Sequence, residues 1–135
     1  VVKITASVLI INRKGERRMK FKINNREWTI TEVSQQAIKN MQNIRKANEE
    51  ENLKSIDMRY YGITYCDTLK IYIDEDLPEA RKKSTLIHEL THCYIDNYIT
   101  HCEKQYTEED VADIVSNSYD IIHEIVDKYF EVKDE

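Results

Sequence analysis

Two histidines and a glutamate form the pattern His-Glu-x-x-His at residues 88–92. On a helix, His88 and His92 lie on one face a turn apart, so both imidazoles can bind the same metal ion. Glu89 lies about 100° around such a helix from His88, where it can reach a water molecule in an open coordination position. These residue types at this spacing predict a zinc site with His88 and His92 as ligands and Glu89 as the base that activates water.

The surrounding sequence favours the helix that this site needs. Apolar residues flank the histidines, and no Gly or Pro interrupts residues 79–99. The helix is expected to start where Asp76, or a neighbouring turn residue, acts as a cap and Pro78 enters the first turn. It should end near Thr100. The alternative is a helix that carries two unrelated histidines.

A catalytic zinc site needs a third protein ligand and leaves its fourth position to water. The strongest candidate is Glu109, which follows His92 by seventeen residues. Glu108, Asp113 and His101 are the alternatives. Asp113 lies four residues after Glu109 on the same helical face, and it is predicted to accept a hydrogen bond from the far nitrogen of a ligating histidine.

Two other patterns do not fit. The metzincin motif requires a Gly and a third His after the first two histidines, but Ile95 and Tyr98 occupy these positions, which excludes that class. His123 shares a helical face with Glu109 but lies about 21 Å further along the helix, so we expect it to be structural.

The elements before the motif follow from hydrophobic periodicity. Residues 20–23 alternate polar and apolar side chains, as a half-buried strand does. Thr31 is a good N-cap for a first amphipathic helix that runs to about Ala47. Residues 58–66 and 69–74 are typical of two strands joined by a short turn. This hairpin leads into the motif helix.

A last helix is predicted after the motif. Thr107 supplies a cap, acidic residues fill the first turn, and the helix runs to about Phe130. Apolar residues at helical spacing predict its buried side. They are Val111, Val115, Tyr119, Ile122, Val126 and Tyr129.

Length, composition and charge limit the class of protein. A chain of 135 residues fits one domain, and 41% hydrophobic residues with one Pro and two Gly indicate a helix-rich globular protein. The net charge of −5 gives no reason to expect direct nucleic-acid binding. No apolar run is long enough for a membrane span or a secretory signal. We therefore expect a cytoplasmic protein without membrane binding.

The cysteines are an odd set without C-x-x-C spacing: Cys66, Cys93 and Cys102. A disulfide framework or a zinc ribbon is not expected, and the thiols should be reduced. Cys93 is adjacent to His92, but neighbouring helical residues point about 100° apart. The two therefore do not form the nucleophile and base of a cysteine protease.

Residues 1–18 are predicted to be an N-terminal extension. They form either a strand in residues 1–12 followed by a basic turn, or a translated upstream region ahead of a natural start at Met19. Residues 19–135 are expected to form a single domain.

The sequence His88-Glu89-Leu90-Thr91-His92, followed by Glu109-x-x-Ala112-Asp113, resembles the gluzincins and specifically the ImmA/IrrE-type metallopeptidases common in phages and mobile elements. The similarity spans residues 57–117 and includes Gly62-Ile63-Thr64. It implies an α+β fold, a small zincin-like domain whose short, mostly antiparallel sheet packs on three main helices including the motif helix.

The resemblance also implies the chemistry. His88, His92 and Glu109 would bind one Zn²⁺ per chain, Glu89 would act as base, and the protein would be a zinc metalloendopeptidase. Its substrate would be a protein or peptide, in the family context a helix-turn-helix repressor of a phage or mobile element. The alternative is a non-catalytic zincin-fold protein that sequesters a partner.

Two further expectations concern the substrate. A strand of the hairpin in residues 58–74 could align an extended peptide through backbone hydrogen bonds. The chemistry also needs a donor for the oxyanion, and the candidates are Tyr61, Tyr94 and Tyr119.

Overall fold

The computed structural model describes residues 4–11, 17–48, 59–100 and 104–131. The strands are β1 (Ile4–Ile11), β2 (Arg17–Ile23), β3 (Arg26–Val33), β4 (Gly62–Tyr65) and β5 (Lys70–Asp74), and the helices are α1 (Gln35–Asn48), α2 (Glu79–Tyr98) and α3 (Glu108–Glu131). The strands form one sheet in the order β1-β2-β3-β5-β4. Only the pairing of β3 with β5 is parallel among these strands. The predicted α+β fold is confirmed.

The main core lies between one face of the sheet and helices α2 and α3. Met19, Phe21 and Ile23 of β2 are buried, whereas Lys20 and Lys22 between them are exposed. This is the alternation that the sequence predicts for a half-buried strand. The other large buried side chains of this core include Trp28, Ile30, Ile71, Ile73, Leu86, Leu90, Ile125 and Tyr129.

Helix α1 packs against the opposite face of the sheet, near β4. Tyr65 donates a hydrogen bond to the carbonyl oxygen of Met41 over 3.4 Å. Successive side chains of a strand point to opposite faces of the sheet. Ile63 and Tyr65 therefore face α1, and Gly62 and Thr64 face α2. The β4 strand is therefore covered on both faces, while its outer edge has no strand partner in the described part of the chain.

The predicted start of α1 at Thr31 is wrong. Residues 26–33 form β3, in which Thr31 pairs with Tyr72 of β5. Ser34 is the capping residue instead, since its hydroxyl accepts a hydrogen bond from the N–H of Ala37 over 3.2 Å. The β-branched residues before Ser34 suit a strand, and the pairing with β5 supplies the hydrogen bonds that a helix would otherwise have made.

Helix α2 spans nearly the predicted residues, but no side chain caps it. Pro78 is the N-cap residue and no capping hydrogen bond forms. The N–H of Asp76 instead donates to the carboxylate of Asp74 over 2.9 Å.

None of the helices described is long and apolar enough to cross a membrane.

Helix α3 begins as predicted. The Thr107 hydroxyl accepts from the N–H of Asp110 and the Asp110 carboxylate accepts from the N–H of Thr107, each over 3.1 Å. These two bonds form a capping box, and the bond from the Thr107 N–H to the carboxylate contributes most to lowering the pKa of Asp110.

The predicted buried side of α3 is confirmed for Ile122, Val126 and Tyr129 only. The first half of that prediction is wrong, because Val111, Val115 and Tyr119 are 50%, 61% and 56% exposed. In this half the buried residues are Ile114 and Ser118. Ile114 and Ser118 border a cleft with Ile87 and Thr91 of α2.

A buried carboxylate joins three elements. Glu32 of β3 is 5% exposed, and its two carboxylate oxygens contact Lys82 Nζ at 2.8 Å and the Tyr129 hydroxyl at 2.7 Å. Lys82 belongs to α2 and Tyr129 to α3. These contacts compensate the buried Glu32 charge, which without a partner would lower the free energy of unfolding. They also hold both helices against the sheet.

We predict that Lys82→Met lowers the free energy of unfolding by about 3 kcal/mol, because the buried Glu32 carboxylate loses its cation. Urea denaturation followed by circular dichroism measures the change. Lys128→Met removes the same charge from an exposed site and should stay within about 0.5 kcal/mol of the wild type. Equal stabilities of the two variants would contradict the role of the Glu32 pair.

Candidate active site

Helix α2 places both motif histidines on one face, as the sequence predicts. The ring centroids of His88 and His92 lie 5.0 Å apart, and the ring planes are inclined by 75°. Both side chains are exposed at a cavity of about 240 Å³, which Glu89 also borders. Both imidazoles can thus bind one metal ion in this cavity.

The Glu89 side chain is buried, with 6% of its surface exposed. The Thr64 hydroxyl of β4 lies 2.5 Å from Glu89 Oε1, to which it donates, and 3.3 Å from the Glu89 carbonyl oxygen. Thr64 is itself buried. The hydroxyl therefore fixes one carboxylate oxygen and determines how Glu89 faces the cavity between the histidines.

Gly62 lets β4 approach α2 closely enough for this contact. A Cβ atom at Gly62 would lie 2.9 Å from Thr85 Cγ2, 3.0 Å from the Tyr72 carbonyl oxygen and 3.3 Å from Glu89 Cγ. The first distance is shorter than the contacts that Cβ atoms make in proteins, and the other two are tighter than most such contacts. A side chain at residue 62 would thus push the strand away from the helix, and the Thr64 hydroxyl with it.

The pKa of His92 lies below its ordinary value. Loss of hydration is the largest cause, nearby His88 and Arg45 act in the same direction, and the Glu89 carboxylate opposes them. A lowered pKa keeps the imidazole neutral near pH 7, which is the form that binds a metal ion.

The thiols near the site are not activated. Burial raises the pKa of Cys66, which borders the cavity, and burial also raises the pKa of Cys93 behind His92. Both are free cysteines. A thiol with a raised pKa is a poor nucleophile at neutral pH, in agreement with the reduced thiols predicted for these two positions. Cys102 lies outside the described residues.

The candidate third ligands do not join the histidines in this geometry. Within the described residues, no three His, Cys, Asp or Glu side chains are grouped so as to hold a metal ion. Glu109 is exposed in the first turn of α3 and does not border the cavity of the histidines. Asp113 borders a separate cleft with Tyr94 and Lys104. His101 lies outside the described residues.

The site's donor set therefore matches a metal ion in part. His88 and His92 provide two imidazoles on one face of α2, and Glu89 lies beside them without being needed as a ligand. The third protein ligand is the missing component in the described part of the chain.

His123, expected to be structural, stacks on Tyr119 with ring centroids 3.9 Å apart.

The three tyrosines considered as donors to the oxyanion border different cavities. Tyr61 borders a cavity of about 320 Å³ together with His88 and Glu89. Tyr94 borders the cleft of Asp113, and Tyr119 lies in the cleft between α2 and α3. Tyr61 is thus the candidate adjacent to the histidines.

Sequence reasoning assigned no role to Arg45, which also borders the cavity of the histidines. One guanidinium nitrogen donates to the Thr64 carbonyl oxygen over 3.0 Å, and the guanidinium carbon lies 5.3 Å from the centre of the Tyr65 ring. Thr64 belongs to the stretch Gly62-Ile63-Thr64 that resembles the ImmA/IrrE type, but the sequence alone indicates no role for its side chain. No local pattern signals either residue, because the contacts form between α1, β4 and α2.

We predict that Gly62→Ala destabilises the protein by about 1–3 kcal/mol, since the added methyl group overpacks the contact between β4 and α2. Thermal unfolding measures this. Adding Thr85→Ser removes the methyl group at 2.9 Å and should restore part of the loss. If Gly62→Ala is as stable as the wild type, the close approach is not required.

Comparison with known proteins adds the family. Residues 44–132 match peptidase family M78, described as the IrrE N-terminal-like domain. No curated protein and no solved structure matches the chain. The matched residues contain α2 with both histidines and Glu89, the strand β4 with Thr64, and all of α3. This chain belongs to the M78 peptidase family, as its resemblance to the ImmA/IrrE type suggested.

Proposed function

We propose that this protein is a zinc metalloendopeptidase that hydrolyses an extended peptide segment. The observation that carries the proposal is the buried Glu89 carboxylate, held by Thr64 beside a cavity that His88 and His92 border. A buried acid is costly unless it is paired, and acids kept in clefts are concentrated at catalytic sites.

The residues divide the work as follows. His88, His92 and Glu109 would hold Zn²⁺, which when bound lowers the pKa of its water and polarises the scissile carbonyl. Glu89 removes the proton from that water and passes it to the leaving amine. Thr64 holds the Glu89 carboxylate so that one oxygen remains for the water. Tyr61 is the proposed donor to the oxyanion.

Glu109 is proposed from the sequence pattern, and the structure adds a condition. Glu109 lies at the start of α3, and its carboxylate does not border the cavity of the histidines. Its participation therefore requires the Glu109 carboxylate to move toward the histidines when the metal binds. Such coupling is common, since metal binding supplies free energy for ordering its own ligands.

The outer edge of β4 supports the binding of an extended substrate. The N–H of Asp74 donates to the Tyr61 carbonyl oxygen over 2.9 Å, so the backbone groups of Tyr61 point toward β5. Backbone groups of successive residues in a strand point to opposite sides, so those of Gly62 and Thr64 point away from β5. A peptide added along this edge would pass beside Glu89. A repressor of a phage or mobile element as substrate rests on the family resemblance alone.

One observation favours the second candidate function, a binding protein that holds a partner without hydrolysis. No third metal donor joins the histidines among the described residues. Glu89→Gln separates the two functions, because the variant keeps the shape of the site and loses the base. Loss of function with the metal retained supports catalysis, and unchanged function supports binding.

We predict that the purified protein binds about one zinc per chain, and that His88→Ala or His92→Ala removes it. Glu89→Gln should retain zinc and lower peptide hydrolysis roughly 100-fold or more. Zinc is measured by mass spectrometry after dialysis, and hydrolysis by new N-termini in a proteome-derived peptide library. Full zinc occupancy in both histidine variants would contradict the site.

We predict that Glu109→Ala abolishes tight zinc binding, whereas Asp113→Ala weakens it by about ten- to a hundredfold. Glu108→Ala changes the adjacent acid and serves as the control, with affinity near that of the wild type. Competition with a fluorescent chelator measures all three. If Asp113→Ala or Glu108→Ala empties the site and Glu109→Ala does not, the third ligand is assigned to the wrong residue.

A further inference from the structure

The cavities on the two sides of Glu89 carry positive charge, although the chain has a net charge of −5. Arg59 and Arg81 border the cavity of about 320 Å³, and Arg45 borders the cavity of about 240 Å³. Gly62, His88 and Glu89 border both, so the two cavities adjoin, and together they are here called the groove. Glu89 is the only carboxylate among the described residues that line it.

The arginines differ in how their charge is compensated. Arg59 lies 2.8 Å from the fully buried Asp74 carboxylate, with which it forms an ion pair. Arg81 lies over the Tyr61 ring, with its guanidinium carbon 5.4 Å from the ring centre. Arg45 contacts a carbonyl oxygen and a ring. Neither Arg45 nor Arg81 forms an ion pair with a carboxylate in the described part of the chain.

Arg45 and Arg81, which form no ion pair with the described carboxylates, lie in different cavities, and Glu89 borders both. A guanidinium group presents five N–H donors, and the hydrogen bond to Thr64 uses only one of those of Arg45. The remaining donors suit a carboxylate, which a guanidinium can bind with two parallel hydrogen bonds. The stacking of each arginine on a tyrosine reduces the freedom that binding would otherwise cost.

We propose that the groove selects an acidic peptide, with carboxylate side chains on both sides of the scissile bond, one bound by Arg81 and the other by Arg45. The inference rests on the proposed peptidase function and adds the class of its substrate. Exposed charges of this kind contribute mainly to specificity and to the association rate. The acidic side chains therefore decide which segments are cleaved, while the backbone groups of Gly62 and Thr64 align them.

Binding is tested with full-length Glu89→Gln protein in zinc-containing buffer, so that the peptides are not hydrolysed. The probes are two dye-labelled decapeptides with blocked ends that differ only in Asp against Asn at the residues flanking a central apolar pair. Fluorescence anisotropy should show the Asp peptide bound roughly tenfold more tightly. The difference should shrink as the salt concentration rises, since exposed charges are screened.

Single substitutions assign the effect to residues. Arg45→Gln and Arg81→Gln should each weaken binding of the Asp peptide by roughly three- to tenfold and leave the Asn peptide nearly unchanged. Arg18→Gln is the matched control, because exposed Arg18 lies on β2 outside the groove. Circular dichroism of each variant confirms the fold. Equal binding of both peptides, or a preference that neither arginine variant reduces, overturns the inference.

Cleavage of the same peptides by the wild-type protein keeps the two proposals separate. Cleavage of both peptides at equal rates would overturn acidic selection and leave the peptidase function in place. Arginine-dependent binding of the Asp peptide without any cleavage would support acidic recognition and count against catalysis. Faster cleavage of the Asp peptide, lost in Arg45→Gln or Arg81→Gln, supports both.

Discussion

The close contact between β4 and α2 is the constraint on which the rest of the site depends. The absence of a side chain at Gly62 allows the strand to approach, and the approach brings the Thr64 hydroxyl to the Glu89 carboxylate. An isolated buried acid would take up a proton or turn toward solvent. Here the Thr64 hydroxyl is a neutral donor to the acid, and both lie beside the histidines.

A second set of buried polar contacts holds β4 in place from the other side. The carboxylate of Asp74, fully buried, accepts hydrogen bonds from Gln35, Arg59 and the N–H of Asp76. Gln35 also pairs with both backbone groups of Tyr60. One carboxylate thus connects the start of α1, the segment before β4 and the turn into α2. Since these elements surround the groove, polar contacts as well as the apolar core hold its shape.

The sequence predicts features that depend on neighbouring residues, and it fails where distant residues decide. The face shared by His88 and His92 follows from helical spacing, and the cap at Thr107 follows from the residues beside it. Thr31 was assigned to a helix because nothing local reveals its pairing with Tyr72. The contact of Thr64 with Glu89 joins residues 25 positions apart and has no local signal. The role of Glu109 stays a prediction, because it depends on where α3 begins relative to α2.

The hydrogen bond from Arg45 to the Thr64 carbonyl oxygen has a consequence beyond the groove. A sheet edge with unpaired backbone groups invites pairing with other chains and so favours aggregation. β4 has only four residues, and one of its outward carbonyl groups is already bound by a cation. A passing strand meets the Arg45 guanidinium and its positive charge at this carbonyl oxygen before it can add to the sheet. The edge that admits a substrate is thereby protected against indiscriminate strand addition.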